Sequence, residues 1–141
     1  MDHTVQVGDE LAEVSDLITR RRVVMNPGVT LDYYPGHWDP ETAKAQGQRD
    51  IFINTMHFMG FVDRVALEWA GWSSRLLRRK IKMQNSICAG DTMIASGSVR
   101  EVEVVDGATR VHIDLWIRNQ DDVPCCFADI TIELGAVSSD A

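Results

Sequence analysis

The sequence predicts a single α+β domain in which an antiparallel sheet covers one buried helix. The segment 53–71 is apolar over most of a helical circumference and therefore needs other structure around it. Between residues 93 and 134, apolar and polar residues alternate as in strands with one buried face. A chain of 141 residues supports one core. We expect one domain at 13–135, an N-terminal arm at 1–12 and a C-terminal tail at 136–141.

Short elements are predicted ahead of the long helix. Residues 13–19 are expected to form a first strand, and Asn26-Pro27-Gly28 is a turn signal. Asp39-Pro40-Glu41 is typical of a helix start, with an aspartate cap, a proline at the first helical position and an acid in the first turn. Gly47 is expected to end that short helix.

Strands are predicted for the rest of the chain. A strand-like run at 77–83 precedes a turn at Gly90-Asp91, and Asp106-Gly107 is a strong hairpin signal. Three to four antiparallel strands therefore follow the long helix, as expected for an α+β domain. The predicted inward faces are Met93, Ala95, Gly97 and Val99; Val111, Ile113, Leu115 and Ile117; and Cys126, Ala128, Ile130, Ile132 and Leu134.

Composition argues against several classes of function. A net charge of −7 argues against non-specific nucleic-acid binding, which needs a basic surface. The longest uncharged run, 51–62, is too short to cross a bilayer as a helix, and the N-terminus has no signal-peptide pattern. Cys88, Cys125 and Cys126 suggest neither a disulfide framework nor a metal site. We therefore expect a cytoplasmic protein with reduced thiols and no metal.

The densest group of chemically active side chains lies at 30–40. Asp32 and His37 stand five residues apart across a Pro35-Gly36 corner, directly before a helix start. A carboxylate and an imidazole that converge on one water can polarise it and move its proton. Spacing alone leaves a second interpretation, in which Asp32 is a turn residue and His37 lies on the surface.

The wider segment around this pair resembles the signature of the MaoC-like hydratases, also called (R)-specific enoyl-CoA hydratases. The positions that match in register are Asp32, Pro35, His37, Asp39, Pro40, Ala43 and Gly47. The turn Ala89-Gly90-Asp91-Thr92 is also similar to a hairpin of this family. The resemblance implies the hot-dog fold, in which a curved antiparallel sheet wraps around a central helix.

The resemblance also implies a reaction. Family members add water across the double bond of a 2-enoyl-CoA, or remove it from the 3-hydroxy form. Asp32 and His37 would hold the water, one removing a proton and the other delivering one to the α-carbon. The thioester oxygen gains charge and needs backbone N–H donors, which in the family lie at the N-terminus of the central helix. Asn54-Thr55 stands there, and the Thr55 N–H is the expected donor.

Several positions depart from the family signature. Leu31 replaces a glycine, Tyr34 replaces an asparagine that helps order the site, and Gly36 replaces an aliphatic residue. Asn54-Thr55 replaces a His-Gly pair. The segment 50–55, together with Trp69-Ala70-Gly71, resembles small MaoC-like subunits that pair with a second MaoC-like chain, some of which handle steroid side-chain CoA thioesters.

Further side chains are candidates for binding. His57 lies on the long helix, one turn from the expected oxyanion donor, and is either a packed histidine or part of the pocket lining. The basic cluster Arg75, Arg78, Arg79, Lys80 and Lys82 is either a charged strand edge or a contact for the phosphates of coenzyme A. The methionines that fill the core or line an acyl tunnel are Met56, Met59, Met83 and Met93.

Three functional interpretations are open at this point. The first is a cofactor-independent hydratase or dehydratase that acts on an acyl-CoA substrate through Asp32 and His37. The second is a non-catalytic subunit, favoured by Tyr34 and Asn54-Thr55. The third is an acyl-CoA thioesterase that uses Asp50 or Glu68. Because a small hot-dog chain exposes one face of its sheet, we expect a homodimer or a heteromer with a second MaoC-like chain.

Overall fold

A five-stranded antiparallel sheet and three α-helices make up residues 4–135, the part of the chain that the computed structural model describes. The predicted tail at 136–141 and the first three residues lie outside this part. None of the helices within it is long and apolar enough to cross a membrane. The elements are β1 (Glu10–Leu17), α1 (Arg20–Thr30), α2 (Pro40–Ala45), α3 (Thr55–Ala70), β2 (Arg75–Met83), β3 (Thr92–Val105), β4 (Ala108–Arg118) and β5 (Pro124–Glu133).

The sheet has the strand order β1-β3-β4-β5-β2, and its inner face packs on α3. Each of the four strand pairings contains a register shift, which bends the strands and lets the sheet follow the helix surface. The predicted α+β class and the covered central helix are therefore confirmed. The buried helix positions are Phe58, Phe61, Val62, Val65 and Ala66, and the fully buried positions of β4 include Val111, Ile113 and Leu115.

Several predicted boundaries agree with the structure, and two strands begin earlier than predicted. β2 begins at Arg75, two residues before the predicted run at 77–83. α3 lies inside the predicted segment 53–71, and α2 starts after Asp39, whose carboxylate accepts from the N–H groups of Glu41 and Thr42. β1 begins at Glu10, three residues before the predicted strand start. Residues 10–12 of the predicted arm are thus part of the sheet, and Leu11 belongs to the core.

The turn predicted at Asn26-Pro27-Gly28 is wrong, because these residues lie within α1. The Thr19 hydroxyl accepts from the Arg22 N–H and caps the helix upstream of the proline. Val23 and Pro27, four residues apart, bury one narrow stripe of the helix. With only two buried positions, α1 has almost no amphipathic pattern, so the local turn signal dominated the sequence prediction.

Leu31 ends α1 in the left-handed region, with φ 56° and ψ 32°. The N–H groups of Leu31 and Asp32 both donate to the Pro27 carbonyl, which turns the chain away from the helix axis directly at Asp32. The family signature has glycine at this position, the residue that adopts a positive φ without strain. Leu31 is 70% exposed, so packing does not compensate for the strain.

We expect Leu31→Gly to leave the free energy of unfolding unchanged or to raise it by up to about 1 kcal/mol, because relief of left-handed strain offsets the added chain entropy. Val29→Gly is the matched control, since Val29 is also exposed but lies inside α1. It should destabilise the protein by about 0.5–1 kcal/mol. Chemical denaturation measures both variants, and equal losses of stability would contradict the explanation.

All three cysteines are free and buried. Burial raises the pKa of Cys125 and of Cys126 from an ordinary 9.0 to about 11. The thiolate is the reactive form of cysteine, so these side chains are poor nucleophiles in the folded protein.

At pH 8 we expect Cys125 and Cys126 of the folded chain to resist a chromogenic disulfide reagent, and all three thiols to react after unfolding in guanidinium. Between about pH 9 and 11 the unfolded chain loses protons that the folded chain keeps. The free energy of unfolding should therefore fall as the pH rises through this window, which alkaline denaturation curves measure. Rapid labelling of these thiols in the folded state would contradict this.

Candidate active site

His37 is held inside the domain by the backbone of the segment that leads into α3. It lies in the 3₁₀ turn Pro35–His37 and is 6% exposed. Its Nδ1 lies 2.7 Å from the Phe52 carbonyl oxygen. A carbonyl only accepts, so Nδ1 carries the proton, and Nε2 of the neutral ring is an acceptor. The Phe52 N–H donates to the Gly36 carbonyl, which fixes the two segments to each other.

Two departures from the signature, Tyr34 and Gly36, belong together. The Tyr34 and Phe52 rings pack edge-on against the His37 imidazole, with centroid distances of 5.4 and 5.0 Å. A Cβ atom at Gly36 would lie 2.8 Å from the Phe52 ring and 2.9 Å from the Tyr34 ring. The tyrosine ring therefore uses space that a side chain at position 36 would need.

Asp32 meets His37 at the surface end of the imidazole. Its Oδ2 lies 3.4 Å from His37 Nε2, and its side chain is 39% exposed. The Tyr34 N–H approaches Oδ1 at 3.4 Å, and Asn54 Nδ2 donates to Oδ2 at 3.1 Å. Both Nε2 of the neutral ring and the carboxylate are acceptors. One water that donates a hydrogen to each satisfies both atoms, which leaves its oxygen lone pairs for a substrate.

Asn54 joins this pair to the start of α3. It is the N-cap of the helix, and its Oδ1 accepts from the His57 N–H at 3.0 Å. Asn26 and Thr30 of α1 bond the same amide, and the sequence analysis missed both in this role. The sequence predicts a turn at Asn26, and no local pattern relates this residue to Asn54, which lies 28 residues further along the chain.

The N-terminus of α3 offers backbone donors. Within residues 4–135, no acceptor is paired with the N–H of Thr55 or of Met56, as is usual for a first helical turn. The helix dipole adds partial positive charge at this point. A cavity of about 560 Å³ lies beside Thr55 and is lined by Tyr34, His37, Asn54, Thr55, Phe58 and Met83.

A second cavity, of about 410 Å³, lies between α1 and the opposite face of α3. Its apolar lining is Met25, Val29, Met56 and Phe61, and Gly60 opens the helix surface between them. His57 also lines it, and burial lowers the pKa of His57, with a smaller contribution from the Arg22 cation. His57 therefore stands neutral at the wall of this cavity, and its buried Nδ1 has no hydrogen-bond partner among the described residues.

The basic cluster lies along β2, an edge strand of the sheet. Arg75 pairs with Glu133 at 3.1 Å, Arg78 with Asp129 at 2.6 Å, and Arg79 with Asp63 of α3. Hydrogen bonding from Arg78 lowers the pKa of Asp129. Lys80 is exposed and makes no ion pair with any residue in 4–135. A role of this cluster in binding coenzyme A stays a prediction.

The side chains considered for other roles are engaged elsewhere. Asp50 pairs with Arg20 at 2.6 Å, and Glu68 approaches Arg64 at 3.5 Å on the same helix. His112 of β4 lies between the Thr131 hydroxyl at 3.1 Å and Glu103 at 3.2 Å. These three groups lie on adjacent strands, where cross-strand neighbours bond each other.

Comparison of the sequence with known proteins identifies one curated relative. No family model matches the chain. It is 33% identical over 91 residues to the beta subunit of 3-oxo-4,17-pregnadiene-20-carboxyl-CoA hydratase of Mycobacterium tuberculosis, a match that covers 64% of this chain and 69% of the relative.

Solved structures agree in fold. The structure of the ChsH1–ChsH2 complex of Mycobacterium tuberculosis contains a chain that is 27% identical, with a TM-score of 0.83 and coverage of 93% of this chain and 99% of that chain. The (R)-hydratase of A. caviae involved in PHA biosynthesis is 17% identical, with a TM-score of 0.82 and coverage of 93% and 98%.

These similarities confirm the predicted hot-dog fold. The identity to a curated hydratase subunit extends over more than two thirds of that relative, and the signature residues stand in register around Asp32 and His37. The chain belongs to the MaoC-like family of hydratases and dehydratases.

Proposed function

We propose that this hydro-lyase adds water across the 2,3 double bond of an enoyl-CoA thioester through Asp32 and His37, and removes it in the reverse direction. The observation that carries the proposal is the pair of acceptor atoms, Asp32 Oδ2 and His37 Nε2, 3.4 Å apart. The Phe52 carbonyl fixes the tautomer of His37, and a cavity leads to the imidazole. A turn aspartate and a surface histidine would have neither feature.

In the proposed reaction, the pair holds one water above carbon 3 of the substrate. The water oxygen forms a bond to carbon 3 as the π bond between carbons 2 and 3 breaks, and the pair takes one proton from the water. The pair returns one proton to carbon 2, so it holds as many protons after the cycle as before it.

The thioester oxygen gains negative charge during this step and needs donors that are already oriented. We place the Thr55 N–H opposite that oxygen, because it is the first donor of α3 and its side chain lines the cavity beside His37. The dipole of the helix supports the same charge. The chemistry needs no redox group, since the thioester already activates the alkene.

The acyl group is proposed to be bulky and apolar and to run from the reacting carbons beside His37, past Thr55 and Met56 at the N-terminus of α3, into the cavity between α1 and α3. That cavity is lined by Met25, Val29, Met56 and Phe61, and thioether side chains adapt to irregular apolar shapes. The curated relative is named for a steroid-derived CoA thioester. The coenzyme A phosphates are proposed to contact the basic cluster of β2, where Lys80 is exposed and forms no ion pair with the acids of residues 4–135.

A second MaoC-like chain is the proposed partner. The similar curated protein is a beta subunit, and one similar structure is a complex of two different chains. Large apolar side chains are exposed around α1 and the site, which a monomer in water would not favour. They are Val24, Met25, Val29, Leu31, Tyr33, Trp38 and Met56.

Replacing either member of the pair tests the reaction. We expect Asp32→Asn and His37→Gln each to lower kcat for hydration of an enoyl-CoA by about 10²–10⁴-fold, because each removes one proton-transfer group. Loss of enoyl absorbance measures the rate. His112→Gln makes the same chemical change on the sheet and should leave kcat within about threefold of the parent.

The assay uses crotonyl-CoA and a steroid-type enoyl-CoA, with the chain alone and with a co-expressed MaoC-like partner. Turnover that survives in both Asp32→Asn and His37→Gln would contradict the assigned roles. A folded chain that gives no turnover under any of these conditions would contradict the proposed hydration of these substrates. Turnover with the partner that is the same in the parent and in both variants would favour the non-catalytic subunit.

Filling the cavity between α1 and α3 tests the acyl site. A Cβ at Gly60 meets no atom within 4 Å, so a side chain there projects into open space. We expect Gly60→Leu to lower kcat/KM for the steroid-type substrate by about tenfold or more through steric exclusion, with crotonyl-CoA affected less than about threefold.

Gly60→Ala is the control for the helix itself. It should raise helix stability by about 0.5–1 kcal/mol and leave the ratio of the two kcat/KM values unchanged. An equal loss for both substrates in Gly60→Leu would mean that the acyl group does not occupy this cavity.

A further inference from the structure

We propose that Asn54 is the positioning residue for Asp32, that it takes over the task of the signature amide replaced by Tyr34, and that Asn26 fixes its orientation. The inference rests on the proposed function, because it assigns Asp32 a role in catalysis. It starts from the hydrogen bonds of a single buried side chain, since Asn54 is 2% exposed.

Every hydrogen-bonding position of the Asn54 amide is used. Nδ2 donates to Asp32 Oδ2 at 3.1 Å and to Thr30 Oγ1 at 3.0 Å. Oδ1 accepts from the His57 N–H and from Asn26 Nδ2, both at 3.0 Å. An amide has two donor hydrogens and two acceptor lone pairs, so no capacity is left over.

This set of partners determines which way the amide faces. In the reversed orientation, Oδ1 would face the Asp32 carboxylate, and Nδ2 would face the His57 N–H and the Asn26 amide hydrogens. These contacts would be repulsive, because Oδ1 and the Asp32 carboxylate are both acceptors, and because Nδ2, the His57 N–H and the Asn26 amide are all donors. Asn26 lies on α1, where the Thr30 hydroxyl donates to the Asn26 backbone carbonyl at 2.9 Å and so ties Thr30 and Asn26, both partners of Asn54, to each other.

Asp32 depends on this bond for its orientation. Its carboxylate is 39% exposed and follows a residue in the left-handed region, so the backbone alone leaves the side chain free to rotate. The other donor to this carboxylate among residues 4–135, the Tyr34 N–H, is 3.4 Å from Oδ1. The shorter bond from Asn54 reaches Oδ2, the same oxygen that approaches His37, and thus aligns the carboxylate with the imidazole.

The double task explains why asparagine stands at position 54. Serine, threonine and aspartate also cap helices through a side-chain oxygen. Only asparagine among these residues carries an N–H donor on the same group as the capping oxygen. The Tyr34 side chain packs on His37 and cannot donate from an amide. The amide that orders the site is therefore supplied by the start of α3.

The kinetic test keeps the cap and removes the donor. Asn54→Asp and Asn54→Ser both retain an oxygen for the His57 N–H, and they differ in charge. We expect both to lower kcat by about 10- to 100-fold with KM changed less than threefold, since a donor to a charged group is lost. Asn26→Ala should lower kcat about three- to tenfold, because the amide loses one of its orienting bonds.

Asn119→Asp is the matched control. The Asn119 Oδ1 accepts from two backbone N–H groups in the β4–β5 turn, and the variant keeps that oxygen. It should retain parent kcat. If kcat of both Asn54 variants stays within threefold of the parent while both are folded, the inference is overturned. A rise in KM without a fall in kcat would also overturn it.

A substrate-free measurement separates this inference from the proposed function. In ¹H–¹⁵N spectra of the full chain, Asp32→Ala should shift the side-chain amide resonances of Asn54 and speed their exchange with water, while those of Asn119 stay in place. Unchanged Asn54 resonances would overturn the inference whatever the activity is. If the resonances shift but no variant or parent shows turnover, the contact stands and the proposed reaction fails.

Discussion

The N-terminus of α3, which the buried side chain of Asn54 caps, is the constraint on which the rest of the site depends. A helix leaves its first N–H groups without partners, and in a buried position these groups need acceptors. The Asn54 side chain accepts from the third of these groups, the His57 N–H, and leaves the Thr55 N–H beside the cavity. The same side chain reaches Asp32. Helix capping, the expected oxyanion donor and the orientation of the carboxylate therefore meet in one residue.

Backbone hydrogen bonds fix the segment that leads into α3. The N–H of Ile53 donates to the Ile87 carbonyl, and the N–H of Ala89 donates to the Ile51 carbonyl, which ties the entry of α3 to the turn before β3. This pairing places the Phe52 carbonyl under His37 and so sets the tautomer of the imidazole. The buried Asp91 carboxylate supports the turn by accepting from the Cys88 N–H at 2.7 Å and from Arg49 at 2.7 Å.

The sequence predicted the parts of this arrangement that depend on local pattern. The fold was predictable from the strong alternation in β3 to β5 and from a helix that is apolar over most of its circumference, because buried faces must repeat with the period of their element. The signature around Asp32 and His37 located the pair. α1 was missed, since two buried residues make no detectable stripe and Pro27 is a breaker in most contexts. The bond from Asn26 to Asn54 joins distant residues and has no local signal.

The departures from the family signature are linked in two ways: Tyr34 goes with Gly36, and the amide lost at position 34 goes with Asn54. Tyr34 brings a ring against His37, and Gly36 removes the side chain that would collide with it. The amide lost at position 34 has a counterpart in Asn54, which donates to the carboxylate from the helix cap. Capping α3 needs only the side-chain oxygen of Asn54, which serine or aspartate would also supply, so the amide donor to Asp32 is the part that a chain without activity would not need. The linked changes therefore favour a reshaped active site over a vestigial one.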